Sequence, residues 1–255
     1  MSNVCIVTDS TAQFTRKAFA GQNRVKVVPL DEGCEGAGSQ AGLLRHYETW
    51  SRSFETILVL TISTALHPFT NIASAAARQF GGASGVHVVD SQNTGAGLGL
   101  LVELAAELAA EGQSIDEIER AVRGAIPHIY SVFSLGNLLP LAEAGLLSQA
   151  QALSAQALGQ HSIFMLEEGR LTPMLKVHTS RHVIESLREF AEEFSLPRHV
   201  SVARGPGCML RTRPLKEFVS ETFPGTPYLE QPFNPSLAGL FGDEALALVI
   251  LEGRN

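Results

Sequence analysis

The chain of 255 residues has few of the features that mark disulfide, zinc or membrane proteins. Its three cysteines, Cys5, Cys34 and Cys208, lie far apart without Cys-x-x-Cys spacing, which supports neither a disulfide framework nor a zinc site. No apolar run approaches the ~20 residues that a bilayer span requires. The first residues also lack the basic segment and apolar stretch of a signal peptide. We therefore expect a cytoplasmic location and no stable membrane insertion.

Positive charge is scarce, since 19 Lys and Arg face 26 Asp and Glu and leave a formal net charge of −7. Nonspecific nucleic acid binding depends on clustered cations that neutralise phosphates, so nucleic acid is not an expected partner. A basic stretch formed by Arg204, Arg211, Arg213 and Lys216 is the exception. Such a stretch is usually a solvated face, and the functional alternative is a docking surface for an acidic partner.

Sequence motifs of common catalytic and cofactor sites are missing as well. There is no Gly-x-Ser-x-Gly elbow, His-Glu-x-x-His pair or P-loop, and the eight histidines show no spacing typical of metal ligands. The glycines at 95, 97 and 99 do not fit the dinucleotide fingerprint, and close helix packing is the better interpretation. We therefore predict no metal and no cofactor.

What the sequence does contain is an alternation of short apolar strands and helical segments, with 45% hydrophobic residues overall. The predicted strands are Asn3–Val7, Val25–Leu30, Ile57–Thr61, Val86–Val89, Ile129–Leu135, Ser162–Leu166, Leu171–Lys176, His199–Ala203 and Ala245–Leu251. This order predicts an α/β protein with a mainly parallel sheet, helices on both faces, and a second smaller α/β domain. We place the first domain at residues 1–159 and the second at residues 160–255.

Local signals add four further expectations. A helix is predicted after the polar cluster at residues 8–11, and the Gly-rich stretch from Asp31 through Gly42 is predicted to be a loop. Ser114 and Glu117 have the spacing of a capping box, so a helix should start there. The turn residues Glu168 and Gly169 between two short extended segments predict a hairpin.

Three of the predicted strands lead directly into loops rich in hydroxyl groups, at residues 8–11, 61–64 and 91–94. In a parallel sheet these loops share the carboxyl edge, where open α/β folds bind ligands and where the amino termini of helices favour anions. Helix capping by Ser, Thr and Asp would explain the same residues without any ligand. Asp9 and Asp90 would repel an anion, so we interpret both as structural. His67 follows the third strand and is a further candidate contact.

Several motifs are specific enough to compare with a known family. Residues 4–12 read VCIVTDSTA, and the second strand ends in VVPL. Together these two motifs resemble the opening of DegV family proteins. Residues 62–66 resemble the family's ISSxLSGT segment, and residues 135–148 resemble its segment ending in GRIS. Residues 89–99 and 169–179 resemble two further family segments, so the similarity covers most of the chain in order.

The resemblance implies a protein that binds one long-chain fatty acid between two α/β domains, and that in some members presents it to a fatty-acid kinase. The carboxylate contacts it implies fall on Ser63 or Thr64 and on Ser91, with Thr94, His67 and His178 as the other candidate ligand-binding residues. It implies a lipid carrier that performs no chemistry alone. The partners that the resemblance implies are therefore a fatty acid or other lipid and, as in some members of the family, a fatty-acid kinase.

Departures from the family pattern keep alternatives open. Leu146 stands where the family has the Arg of GRIS, His178 stands for another Arg, and Leu240 occupies the place of a His. Without these groups the ligand could be a different or neutral lipid. An acyl or phosphoryl transferase using Asp9 or Asp90 as a base is a second hypothesis. A degenerate paralogue kept for protein contacts is a third.

Overall fold

The computed structural model describes residues 3–30, 36–82 and 85–253. The chain divides into two compact units, Met1–Pro127 and His128–Asn255. The boundary therefore lies earlier than the predicted division at 159/160, and the second unit is as long as the first. The reason is that the strand Ile129–Leu135 belongs to the second sheet, where it hydrogen-bonds to strands on both sides.

The described residues of the first unit form four strands and four α-helices. In chain order these are β1 Val4–Asp9, β2 Val25–Val28, α1 Gln40–Trp50, β3 Thr56–Thr61, α2 Phe69–Gln79, β4 Gly85–Asp90, α3 Gly95–Ala110 and α4 Ile115–Ala125. The sheet order is β2-β1-β3-β4 and every pairing is parallel. Helix α3 contacts β1 and β3 while α2 contacts β3 and β4, and α4 and α1 pack on these helices. The predicted parallel α/β architecture is confirmed for this unit.

The strands and helices of this unit follow from local sequence. Strand β1 is buried along its whole length, as expected for an apolar run inside a covered parallel sheet. Helix α4 begins at the predicted capping box, in which the Ser114 hydroxyl accepts from the Glu117 N–H and the Glu117 carboxylate accepts from the Ser114 N–H. Helix α3 is rich in Ala and Leu and buried on most sides, which makes it the central helix of the unit.

Two local predictions in the first unit were wrong. No α-helix follows the hydroxyl cluster after β1, because the buried Glu103 carboxylate on α3 accepts from the backbone N–H groups of Thr15 and Arg16. Those N–H groups are therefore unavailable to a helical turn. The predicted Gly-rich loop up to Gly42 is also too long, since α1 begins at Gln40 with the Ser39 hydroxyl as its amino-terminal cap.

Up to residue 253, the second unit forms six strands and five α-helices. These are β5 Ile129–Leu135, α5 Leu139–Glu143, α6 Gln149–Ala157, β6 His161–Glu167, β7 Arg170–Val177, α7 Ser180–Glu192, β8 Pro197–Arg204, α8 Arg213–Thr222, β9 Tyr228–Pro232, α9 Pro235–Phe241 and β10 Leu246–Glu252. The sheet order is β7-β6-β5-β10-β8-β9, antiparallel except for the β8–β9 pair. The predicted hairpin of β6 and β7 is confirmed, whereas β9 and α9 were not predicted.

One face of the second sheet packs against α7 and α8. Val183 and Leu187 of α7 and Leu215 of α8 are fully buried together with Leu248 of β10. Burying each such side chain contributes about 1.5–3 kcal/mol, so this cluster is a main source of stability for the unit. On α9, Phe241 stacks on Phe133 with ring centroids 4.3 Å apart. Within the described ranges, no helix combines the length and apolarity needed to cross a bilayer.

Candidate functional site

The candidate site is the carboxyl edge of the four-stranded parallel sheet. Strands β1, β3 and β4 run in the same direction, so the loops that follow them leave the sheet at the same edge. The loops contain the predicted hydroxyl-bearing residues. Thr8, Ser63, Ser91 and Thr94 are all buried, with at most 1% of each residue exposed to solvent.

Direct hydrogen bonds join the three loops to each other. The Ile62 N–H donates to Asp9 Oδ2 at 2.6 Å, which connects the loops after β1 and β3. The Ser63 N–H donates to the Asn93 carbonyl at 2.9 Å, and the Thr64 N–H donates to Asp90 Oδ2 at 3.2 Å. The loops therefore form one contiguous layer above the sheet.

Asp9 organises the loop after β1. Its Oδ1 accepts from the N–H of Thr11 at 3.0 Å and from the Thr11 hydroxyl at 2.5 Å, while its Oδ2 accepts from Ile62. Burial raises the pKa of the Asp9 carboxyl above its ordinary value because desolvation penalises the charged form, and the hydrogen bonds from Thr11 and Ile62 oppose this shift. Asp9 thus holds backbone in place, in agreement with a structural role.

Asp90 has a similar role at the end of β4. Its Oδ1 accepts from the Gln92 N–H at 2.9 Å, and its Oδ2 accepts from Thr64 in the neighbouring loop. Gln92 has a positive φ of 52°, which the tight turn between Asp90 and α3 requires. Both aspartates therefore use their oxygens to fix loop backbone rather than to cap a helix.

The two candidate serines make local hydrogen bonds. The Ser91 hydroxyl accepts from the Asn93 N–H at 3.0 Å and donates to the Asn93 carbonyl at 3.2 Å. The Ser63 hydroxyl accepts from the Ala65 N–H at 3.2 Å. These are turn-forming bonds of the kind that Ser commonly makes with nearby backbone. A ligand that accepted a hydrogen bond from the Ser91 hydroxyl would replace its bond to the Asn93 carbonyl, which at 3.2 Å is long for a hydroxyl donor.

Thr8 and Thr94 differ from the serines, because their hydroxyls are buried and have no hydrogen-bond partner among the described residues. Thr94 stands at the amino terminus of α3 without a side-chain capping bond. Helix α2 begins after Pro68, also without such a bond, and no α-helix directly follows the loop after β1. Helix capping therefore does not account for the hydroxyls in these three loops.

The remaining candidates lie in different places. Thr64 and His67 are half-buried in the loop before α2, where the His67 N–H donates to the Ser63 carbonyl at 3.0 Å. His178 belongs to the second unit, is exposed, and has its Nε2 3.3 Å from the Gln160 Nε2. Five of the six predicted residues thus lie in the loops that follow β3 and β4 of the first unit. Thr8 was missed as a candidate although its loop was recognised.

Other positions bear on the chemistry of the site. Among the described residues, no group of three or more His, Cys, Asp or Glu side chains is arranged to hold a metal ion. Cys5 and Cys208 are buried free thiols, and Cys34 lies outside the described residues. Leu146 and Leu240, which replace an Arg and a His of the family pattern, are half-buried in the second unit and carry no charge.

Residues 37–253 match the sequence profile of the DegV family, whose description is "Uncharacterised protein, DegV family". The chain belongs to the DegV family. A curated relative, the DegV domain-containing protein SCO2569 of Streptomyces coelicolor, is 30% identical over 219 residues, which cover 75% of this chain and 77% of that protein. The family assignment made from sequence motifs is therefore confirmed.

Two solved structures of DegV proteins share the fold. The fatty acid binding DegV family protein SAG1342 from Streptococcus agalactiae has a TM-score of 0.83 and 17% identity, with both chains covered completely. The Streptococcus pneumoniae Fatty Acid Kinase (Fak) B3 protein, solved with linoleic acid bound, has a TM-score of 0.82 and 18% identity. The match covers 98% of this chain and all of that one, so the DegV fold extends over both units.

Proposed function

We propose that this DegV protein binds a long-chain fatty acid or a related lipid and carries it to a partner kinase. The polar head is held by hydroxyl groups at the carboxyl edge of the parallel sheet. Membership of the DegV family supports the ligand class, because DegV proteins of the same fold bind fatty acids and one of them is named as a fatty acid kinase B protein. The head-group contacts rest on the geometry of this chain.

The observation that carries the proposal is the buried hydroxyl of Thr94, which has no hydrogen-bond partner among the described residues. A buried hydroxyl without a hydrogen bond costs about 1–3 kcal/mol, and a ligand that accepts a hydrogen bond from it would remove this cost. Thr94 immediately precedes α3, which has no acidic residue in its first turn. The amino terminus of a helix carries a partial positive charge, so this position suits a carboxylate.

Hydrogen bonds and the acyl chain contribute to binding in different ways. A hydrogen bond from a hydroxyl to a charged carboxylate is worth about 1.5–3 kcal/mol. Burial of the chain contributes about 0.8 kcal/mol for each methylene, so the chain supplies most of the affinity of a long fatty acid. The hydroxyls therefore decide which head group is accepted, and loss of one should weaken binding without abolishing it.

The nearby aspartates are compatible with an anionic ligand. Asp9 accepts three hydrogen bonds that offset its charge, and burial raises the pKa of its carboxyl. Asp90 accepts from the N–H groups of Thr64 and Gln92. The same contacts argue against the transferase hypothesis, because a catalytic base needs a carboxylate oxygen free to take a proton from a nucleophile.

Head-group preference provides the experiment. Delipidated protein should bind oleate more tightly than oleyl alcohol, measured by displacement of a fluorescent fatty acid. Thr94→Val and Ser91→Ala should each weaken oleate binding about tenfold and narrow the preference over the alcohol. Ser220→Ala is the control, because it removes an exposed hydroxyl that donates to the Glu217 carbonyl on α8. It should change neither the affinity for oleate nor the preference for oleate over oleyl alcohol.

The outcomes separate the hypotheses. Protein that purifies without lipid by mass spectrometry and also fails to bind added oleate would exclude the fatty-acid carrier. Equal binding of oleate and oleyl alcohol would indicate a ligand with a neutral head group instead of a carboxylate. Such a ligand would fit the presence of Leu146 and Leu240 where the family has an Arg and a His. Phosphorylation of the bound fatty acid by a fatty acid kinase with ATP would establish the carrier role, and its absence would favour a paralogue with another partner.

A further inference from the structure

The basic stretch noted in the sequence is largely neutralised in the folded second unit. Arg204 pairs with Glu230 at 3.2 Å and Arg213 pairs with Glu217 at 2.6 Å. Lys216 lies over the Tyr228 ring, 6.0 Å from its centroid. Arg211 is also exposed, and among the described residues it has neither a carboxylate partner nor an aromatic ring beneath its guanidinium.

Arg211 lines a surface groove of about 510 Å³, which we call the arginine groove. One wall is a face of α7 and the other is the segment that leads into α8. The lining residues are Ser180, Arg181, Ile184, Glu185, Arg188, Met209, Arg211 and Pro214. Its three arginines face a single glutamate, Glu185, which is already paired with Arg181 at 2.7 Å. The groove is therefore positively charged in a chain whose net charge is −7.

Arg188 is the second arginine of the groove without a carboxylate partner in the described part of the chain. Its guanidinium stacks on the Phe218 ring of α8, with Cζ 4.9 Å from the ring centroid. Its Nε is buried and has no hydrogen-bond acceptor among the described residues. Stacking fixes the plane of the guanidinium, so the donors are held in place before an acceptor arrives.

The groove also has apolar surface. Ile184 is buried at 7% exposure, and Met209 on the rim is 89% exposed, the highest value among the exposed large hydrophobic residues described. Arg and Met are both enriched in protein interfaces, where Met adapts its shape to the partner. A simple anion would use the two arginines and leave this apolar surface unused.

We propose that the arginine groove is a docking site for an acidic segment of a partner protein. Carboxylates of the segment pair with Arg188 and Arg211, and an apolar side chain of the segment packs on Met209 and Ile184. Charge complementarity selects the partner, since Arg188 and Arg211 form no ion pair among the described residues and the chain as a whole has a net charge of −7. The residues of this docking site include none of those proposed to hold the lipid.

The test uses the full chain and three labelled synthetic peptides of equal length. One contains Glu and Leu, the second has Lys in place of Glu, and the third has Ser in place of Leu. The first should bind most tightly by fluorescence anisotropy, and added salt should weaken it. Arg188→Gln and Arg211→Gln should each weaken it about tenfold. Met209→Ser should remove the advantage of the Leu peptide over the Ser peptide.

Arg213→Gln is the matched control, because it removes the same charge two positions away at a residue paired with Glu217. It should change binding less than about twofold. Arg211 is exposed, so its variant should keep the circular dichroism and melting curve of the parent protein even if the Arg188 variant does not. The Arg211 variant alone can therefore decide the question.

Three results would overturn the docking site. They are failure of the acidic peptide to bind, equal binding of the Lys peptide, and an equal loss in the Arg213 variant. Anionic phosphatidylglycerol vesicles are tested in parallel. If the vesicles bind in a manner that depends on Arg211 and the peptides do not bind, the partner of the groove is a lipid surface and not a protein.

Discussion

Asp9 and Ile62 are joined across two loops by a hydrogen bond of 2.6 Å, in which the Ile62 N–H donates to Asp9 Oδ2. The bond connects the end of β1 with the end of β3, two neighbouring strands of the parallel sheet. Since the Ser63 N–H reaches the loop after β4, a change at Asp9 should be transmitted to the whole candidate site. The carboxyl of Asp9 is fully buried, so its protonation should affect stability.

Asp9→Asn should destabilise the protein by about 1–3 kcal/mol, because an amide group cannot accept from Thr11 and Ile62 at the same time. The loss should depend on pH. Burial raises the pKa of Asp9 in the folded state above 3.8, so its favourable contribution is complete below that value and is lost as pH rises through the folded pKa. The difference in unfolding free energy between parent and variant should therefore narrow as the pH rises above about 3.8.

Urea denaturation at a series of pH values measures the difference in free energy of unfolding between the parent protein and the Asn variant. The Asn variant serves as its own reference, because titration of all other groups is common to both proteins. A gap that stays constant, or that widens as pH rises, would contradict a raised pKa at Asp9.

Thr94→Val should stabilise the lipid-free protein by about 1 kcal/mol, although it weakens lipid binding. Val keeps the branched shape of Thr and removes a buried hydroxyl that has no partner in the described structure. Thr11→Val is the comparison, since Thr11 is equally buried and its hydroxyl donates to Asp9 at 2.5 Å. That variant should lose about 1–2 kcal/mol. Denaturation of delipidated protein measures both, and a destabilised Thr94 variant would indicate a structural role for its hydroxyl.

Glycine substitutions in two helices should have opposite effects. A Cβ at Gly99 of α3 would lie 1.9 Å from the Gln13 carbonyl oxygen, so Gly99→Ala should force the loop off the helix. We expect a loss of about 1–3 kcal/mol. A Cβ at Gly239 of α9 meets nothing within 4 Å among the described atoms, so Gly239→Ala should gain about 0.5–1 kcal/mol. Melting temperatures that shift in the same direction would contradict this comparison.

The sequence predicted those elements whose signals are formed by residues close together along the chain. The capping box at Ser114 defined the start of α4, and the turn at Glu168 and Gly169 defined the hairpin of β6 and β7. The family motifs and the hydroxyl loops also located the carboxyl edge of the first sheet. These features depend on neighbouring residues, so a single sequence contains them.

Features that depend on distant residues were missed. Strand β5 looks like a parallel strand by composition, but its neighbours β6 and β10 run antiparallel to it and assign it to the second unit. Strand β9 is short and partly exposed, so it lacks the apolar run that marks a strand. The absence of a helix after β1 is explained by Glu103, which lies about ninety positions away in the sequence. Its carboxylate accepts hydrogen bonds from the N–H groups of Thr15 and Arg16.

The position of β10 has a consequence for folding. Strands β5, β6 and β7 can form one antiparallel sheet early, and β8 with β9 can form a parallel pair, but the two parts share no strand pairing. They are joined only when β10, synthesised after all of them, inserts between β5 and β8. Until then both parts expose an unpaired strand edge, which is a site of aggregation. Assembly of this unit should therefore be slow and dependent on contacts far apart in sequence.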